Sequence, residues 1–330
     1  MGSWLYNSPS MKTWQKIKEN PEILKRYLVR EKVVDTIRSF FKKRGFREVF
    51  TPILVPVPSI EPNLEVFQSE LRTASGLKRR AYLIMSPEYS IKKLLAAGIG
   101  NCFEITKCFR NEEEVSLLHN PEFTMLEWYR VGADYREIVE DFENLFLEII
   151  GKEKLIYQGE TYDLNLPWPR ISFREAFKKY ANRNIEEVKD EDFYKIFFNQ
   201  VEPKLKEFQK PVILYDYPIS QASLSRPKKE DARFAERFEV FLAGIELGNC
   251  FSELTDPTEQ AKRLRRDLAL RRVQGKTKYG IDRDFLKALK VGLPASAGIA
   301  VGVDRLIMLA ADVPSISDIM FFPVSELFEL

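Results

Sequence analysis

The chain has 330 residues but a single histidine and only three cysteines. One histidine leaves no set for a histidine-based metal centre and makes a Ser-His-Asp triad a poor candidate. Cys102, Cys108 and Cys250 show neither metal nor redox spacing, and an odd number of thiols suits a reducing compartment. No apolar run reaches membrane-spanning length, and residues 1 to 10 lack the charged and apolar regions of a secretory signal. A cytoplasmic protein with no membrane partner is expected. Lys+Arg (51) and Asp+Glu (49) nearly cancel, so the basic excess of a nucleic-acid-coating surface is missing and tRNA is not an expected partner. Internal repeats and low-complexity linkers are also missing, which predicts a single domain over residues 1–330.

What is present is a 45% apolar share, enough for one large core or a core with a small insertion. Leu24, Leu28, Val33, Ile37, Phe40 and Phe41 recur at helical spacing, Gly45 ends that helix, and residues 47–51 read as a strand closed by Pro52. Residues 102–110 and 122–131 read as strands joined by a polar loop, a long hairpin. Asp134 caps a helix with Tyr135, Ile138, Val139, Phe142, Leu145 and Ile149 on one side. A helical insertion is expected at about 151–210, with Ser172 and Glu175 forming a capping box. Strands follow at 211–216 and on either side of Ala243-Gly244. Asp256, Pro257 and Glu259 open a basic helix whose arginines (Arg263, Arg265, Arg266, Arg271 and Arg272) are expected on a solvated face. Hairpin-linked strands with helices outside imply an α+β fold around an antiparallel sheet.

Three segments carry candidate chemistry. Phe109-Arg110-Asn111-Glu112, then His119-Asn120-Pro121-Glu122-Phe123, puts an arginine at the end of one strand, where it can grip an anionic oxygen bidentately. Alternation on the returning strand places Phe123, Met125, Glu127 and Tyr129 on one face. That mixture is unusual for a core, although a solvated hairpin with salt bridges has the same pattern. In the second segment, Glu239 and Glu246 can meet across a strand pair, as paired carboxylates that bind Mg²⁺ do. Asn249, Phe251 and Glu253 share a face, and a buried Glu253 needs a cation, either from a ligand or from Arg233 or Arg237. In the third, Gly298 to Val303 is a glycine-rich strand that lets a ligand approach the backbone, and Arg305 stands at the start of the next helix.

In order and wording the chain resembles the three signature motifs of class II aminoacyl-tRNA synthetases: the helix and strand ending at Pro52 resemble motif 1, the Arg110–Tyr129 hairpin motif 2, and the Gly302-Val303-Asp304-Arg305 turn motif 3. FRNE…HNPEFTMLEWY, GIELGNCFSELTD and AGIAVGVDRLIML are similar to the lysyl subgroup. Motif 1 begins almost at once, leaving no room for an anticodon-binding domain. That architecture, with Ser86-Pro87-Glu88-Tyr89 and Ser220-Gln221-Ala222-Ser223-Leu224, resembles the GenX/PoxA/EpmA group. The resemblance implies a class II catalytic fold that dimerises through motif 1. It implies ATP and Mg²⁺, lysine or (R)-β-lysine as amino acid, and elongation factor P as protein acceptor.

The same resemblance implies roles for individual residues. Arg110 and Arg305 are the catalytic arginines, Arg110 on the carboxylate and α-phosphate, Arg305 with His119 on the distal phosphates. Phe123 stacks under adenine with Arg305 on its other face, and Asn111, Glu112, Asn120, Leu247 and Gly302 complete the ATP set with Glu246. Glu239 and Glu246 hold Mg²⁺. Ser86, Pro87 and Glu88 receive the amino group near the carboxylate, and Asn249, Phe251, Glu253 and Tyr129 line the path to the terminal ammonium. Ala300 stands where lysyl-tRNA synthetases usually have glycine, which the resemblance associates with (R)-β-lysine. Two departures are visible. The loop from Arg110 to His119 is one residue longer than in the family, and Cys250 replaces a small residue. The competing readings are a minimal lysine–tRNA ligase and a non-catalytic synthetase paralogue with a regulatory binding role. Such paralogues usually lose an ATP-gripping arginine or metal glutamate, and here Arg110, Arg305, Glu239, Glu246 and Glu253 are all present.

Overall fold

A computed structural model describes residues 11–222 and 224–329, so Ser223 of the Ser220–Leu224 segment lies outside the described residues, as do residues 1–10. The first long helix, α1 (Leu24–Lys43), buries Val33, Ile37, Phe40 and Phe41 on one side. Gly45, at φ 78°, turns the chain out of it. The strand expected over 47–51 is only β1 (Arg47–Glu48). Its far end leaves the sheet because the Thr51 N–H donates to the Glu104 carboxylate (2.8 Å) and Pro52 has no N–H to offer.

Then come α2 (Glu88–Ala96), β2 (Cys102–Phe109), β3 (Glu122–Val131) and α3 (Tyr135–Ile150). Asp134 caps α3 in a capping box with Glu137, as the sequence predicts. The remaining sheet strands are β4 (Arg170–Ser172), β5 (Val212–Pro218), β6 (Phe234–Leu242), β7 (Ile245–Ser252) and β8 (Ser296–Gly302). Ala243 (φ 55°) and Gly244 (φ 77°) make the tight β6–β7 turn. Two more helices frame the site, α4 (Pro257–Val273) and α5 (Val303–Ala310).

The eight strands lie in the order β1-β2-β3-β8-β7-β6-β5-β4. The inner pairings are antiparallel, as expected, while the edge pairs β1–β2 and β4–β5 are parallel. On one face of the sheet, Trp128, Val240, Ile299 and Val301 pack against Phe41 of α1, Phe142 and Phe146 of α3, and Leu306 and Ile307 of α5. Residues of opposite parity on the same strands face the other way, and that face is the floor of the cleft described below.

The segment 151–210, expected as a helical insertion, is helical only from Phe173 to Leu205, in short α and π turns. It opens with a hairpin, Lys154–Tyr157 and Glu160–Asp163, turned by Gln158 (φ 51°) and Gly159 (φ 83°). It then contributes β4 to the main sheet. Leu155 and Tyr157 are buried while Lys154 and Ile156 are exposed, a strand alternation too short to stand out from a helical pattern. The helical part packs Phe173, Phe177, Phe193, Phe197 and Val201 against Val212, Leu214 and Phe241.

Candidate active site

Strand alternation assembles the site. Rows of side chains cross the sheet in register: Glu104, Glu127, Ala300, Asn249 and Glu239 form one, and Tyr129, Gly298, Phe251 and Arg237 form the next. Above this floor lies a cleft of about 510 Å³. At one end it is walled by Ser86, Glu88, Tyr129 and Glu253, and at the other by Arg110, His119, Phe123, Glu246 and Arg305.

The first end is a buried acidic pocket. Glu88 opens α2 and Lys92 follows one turn later, so both project from the same side of the helix. The Lys92 ammonium lies 2.5 Å from a Glu88 oxygen and 2.5 Å from a Glu253 oxygen, and all three side chains are almost fully buried. Burial alone would lower the Lys92 pKa, but Glu253 and Glu88 outweigh it and keep the ammonium charged. Glu127 accepts hydrogen bonds from Ser86 Oγ (2.5 Å) and Tyr129 Oη (2.9 Å). Burial and then the charge of Glu88 push its carboxyl up to about 8. Burial, opposed by Lys92, pushes Glu253 up to about 7. The Tyr129 ring closes on Gly298, where a β-carbon would come within 2.3 Å of it and 3.0 Å of a Glu253 oxygen. Glycine is therefore required there, by close approach.

The second end is cationic. Asp304 accepts from the Thr124 N–H (2.6 Å) and pairs with Arg30, which ties the start of α5 to β3 and fixes Arg305 beside it. Arg305 donates to the Glu246 carbonyl (2.6 Å) and to His119 Nε2 (2.9 Å). A guanidinium only donates, so His119 is neutral with its proton on Nδ1, facing Ser116 Oγ at 3.0 Å. Burial and then Arg305 lower the imidazole pKa, in keeping with that state. The Arg110 guanidinium lies 4.9 Å over the Phe123 ring. In the longer loop, the Glu113 carboxylate stands 3.9 Å from Arg110 as its counter-ion and 3.7 Å from the neutral His119 ring.

Most of the expected residues meet here, including Asn249, Phe251, Ala300, Leu247 and Gly302, with exceptions. Pro87 is the residue before α2 and sets its start rather than lining the cleft. Asn111 and Glu112 do not line it either: the Asn111 N–H is paired with the Glu65 carbonyl (2.9 Å), and Glu112, at φ 56°, turns the loop. Asn120 reaches the cleft, but its amide is engaged with the Glu122 carbonyl (2.6 Å) and the Val324 N–H (3.1 Å). Arg305 is turned to Glu246 and His119, and the cation over Phe123 is Arg110. Glu239 and Glu246 do not oppose each other across the strands. A bulge between Val240 and Phe241 sets Glu239 opposite Asn249 and Glu246 opposite Phe241. Their charges still interact: burial and then Glu246 push Glu239 up to about 7 despite Arg237 at 2.8 Å. Arg237 is thus the partner of Glu239, Arg233 pairs with Asp231 at the surface, and the cation on Glu253 is Lys92.

Sequence reasoning missed Lys92, although the i, i+4 spacing from Glu88 was readable. It assigned no role to Glu127 or Glu61 and took α4 as solvated. Arg263 and Arg271 are instead buried, donating to the Ser225 carbonyl (2.7 Å) and the Glu61 carbonyl (2.6 Å). It also did not foresee the aromatic wall of Phe193, Tyr194, Phe197 and Phe198 supplied by the 173–205 segment. Among the described residues no group of three or more His, Cys, Asp or Glu is placed to enclose a metal, and no helix is long and apolar enough to cross a membrane.

Residues 10–326 match the family described as tRNA synthetases class II (D, K and N). The chain is 42% identical over 310 residues to an elongation factor P–(R)-β-lysine ligase of Proteus mirabilis, covering 90% of this chain and 94% of that one. Its counterpart from Yersinia enterocolitica is 41% identical over 91% of this chain and 95% of its own. A lysine–tRNA ligase of Moorella thermoacetica is 34% identical over 92% of this chain, but only 66% of its own length is matched. The sheet, the cleft and these matches agree, and the chain belongs to the class II tRNA synthetases of the D, K and N group.

Proposed function

We propose that this protein is an ATP-dependent ligase that activates (R)-β-lysine, or lysine, as an aminoacyl-adenylate and transfers it to a lysine side chain of elongation factor P. The observation that carries the reading is the charge of the inner pocket. Lys92 sits between Glu88 and Glu253, Glu127 is held by Ser86 and Tyr129 in the same cleft, and the side chains of Lys92, Glu88, Glu253 and Glu127 are all buried. Three buried carboxylates with one ammonium are under-compensated, and the raised pKa values of Glu127 and Glu253 express that deficit. An amino acid with two ammonium groups supplies the missing charge. The names of the relatives support elongation factor P as acceptor.

In the first step a carboxylate oxygen of the amino acid attacks the α-phosphorus and pyrophosphate leaves. No general base is needed, because the carboxylate is already ionised. What the step needs is alignment and charge neutralisation. Arg110, stacked on Phe123, would receive the carboxylate and α-phosphate, and Arg305 with neutral His119 the distal phosphates. In the second step the acceptor amine attacks the adenylate carbonyl, AMP leaves with the mixed-anhydride oxygen, and the amine loses a proton. Glu239 and Glu246 suit Mg²⁺ held by one or two carboxylates plus substrate phosphates. Bound there, the ion supplies neutralisation of phosphate charge. The exposed Phe50, Ile53 and Leu54 after β1 support a homodimer through this region. The protein is read as a single cytoplasmic domain.

The test is ATP–pyrophosphate exchange with (R)-β-lysine and lysine in parallel. Exchange with either diamino acid and none with norleucine is expected. Exchange that ignores the terminal ammonium removes the reading.

A further inference from the structure

The cleft contains a carboxylate that the roles above leave unused. Glu61 lies on the loop 59–65, whose backbone is fastened at several points. The Tyr279 hydroxyl donates to the Ser59 carbonyl (3.0 Å), and the Ile60 N–H donates to the Tyr89 hydroxyl (3.2 Å). Arg271, fully buried in α4, donates to the carbonyls of Glu61 (2.6 Å) and Leu64. Glu65 accepts from the N–H groups of Val66 (2.8 Å) and Thr277 (3.0 Å). A loop held this way presents its side chains in fixed directions, and Glu61 lines the cleft.

The Glu61 carboxylate has no ion pair and no side-chain hydrogen bond among the described residues, and in the same cleft Glu253 Oε1 also lacks a hydrogen-bond partner. Lys92 is locked between Glu88 and Glu253, and Glu127 is held by two hydroxyls. The tether from Ile60 to Tyr89 joins this loop to the first turn of α2, the turn that carries Glu88. Burial and then the Glu88 charge push Glu61 up to about 7, with Arg110 the first of the opposing groups. Glu61 lines the same cleft as Glu88, at the amino-group end, and Arg110, at the reacting carboxylate, and feels the charge of both.

Building on the lysine-ligase reading, we propose that Glu61 is a specificity-determining residue whose carboxylate receives the substrate ammonium nearest the reacting carboxyl. Glu88 shares its charge with Lys92, so Glu61 is the free anion at that position. Its loop, clamped by Arg271, sets how far from the carboxyl this ammonium sits and so bears on the choice between α- and β-amino acids.

The experiment is Glu61→Gln, close in shape and uncharged, with pyrophosphate exchange for (R)-β-lysine and lysine. The inhibition constant of 6-aminohexanoate is measured alongside, because that compound keeps the terminal ammonium and carboxylate but has no second amino group. The expected result is a fall in kcat/KM of about tenfold or more for the preferred diamino acid, mostly through KM, with 6-aminohexanoate inhibition unchanged. An equal loss for all three compounds means a merely structural role and overturns the proposal, as does no loss for the diamino acids. Wild-type protein that activates neither diamino acid removes the underlying reading itself, a result distinct from a silent Glu61→Gln.

Discussion

Replacing Glu253 by glutamine removes one charge from the inner pocket with almost no change of shape. Glu253 is almost fully buried and its ammonium partner in the empty protein is Lys92, at 2.5 Å. In the variant Lys92 keeps Glu88, also at 2.5 Å, so the protein's own cation is not stranded. A substrate ammonium about 4 Å from Glu253 loses about 4 kcal/mol of attraction at an effective dielectric near 20. Part of this is recovered by the glutamine oxygen, which still accepts a hydrogen bond. A net loss of about 3 kcal/mol corresponds to roughly a hundredfold in kcat/KM. Pyrophosphate exchange with the diamino acid reads that loss, and the KM for ATP should be unchanged. Thermal melting should shift little, because the substitution also removes a carboxyl that burial has already pushed up to about 7. Near wild-type exchange in a folded variant would refute the placement of the terminal ammonium at Glu253.

Four further outcomes follow from the same groups and contacts. The carboxyls of Glu127 (about 8) and Glu253 (about 7) have folded pKa values above the ordinary carboxylate range. A raised folded pKa contributes stability at low pH that is lost as pH rises from about 4.5 through about 8, so the substrate-free protein should melt lower at pH 8.5 than at pH 6. Substrate ammonium groups bind the ionised forms, so affinity for the diamino acid should rise on the order of tenfold from pH 6 to pH 8, with proton release that calorimetry in two buffers detects. Gly298→Ala puts a β-carbon 2.3 Å from the Tyr129 ring. It should cost about 1–3 kcal/mol of stability and raise the KM for the amino acid, read by melting and exchange. Ala300→Gly removes a methyl from the row between Glu127 and Asn249. It should change the ratio of kcat/KM for β-lysine over lysine by a factor within the ~1–3 kcal/mol that one methyl supplies, and an unchanged ratio would separate Ala300 from specificity.

Much of the fold was legible because it is written in local periodicity. The caps at Asp134, Ser172 and Asp256, the turn at Ala243-Gly244 and the alternation of β3 all follow from neighbours a few residues apart. The cleft face of β3 was readable for the same reason, since Phe123, Met125, Glu127 and Tyr129 obey a period of two. What was not legible depends on partners distant in sequence. The Glu88–Lys92 pair could be read from helical spacing, but that Glu253 completes it depends on β7 lying across from α2. Arg271 reads as one more charge in a basic helix until the loop 59–65 folds over it. The bulge at Val240–Phe241 moves Glu239 and Glu246 out of direct opposition, and no residue type there signals it. The 151–210 segment misled because its strands are three or four residues long, below the length at which alternation separates from a helical pattern.

The most direct measurement follows labelled (R)-β-lysine after activation by the wild-type protein, with ATP and Mg²⁺ and with elongation factor P and lysine tRNA both present. The account predicts label on a lysine side chain of elongation factor P, with tRNA left unlabelled. Label accumulating on tRNA, or adenylate that forms and is passed to neither, would contradict it.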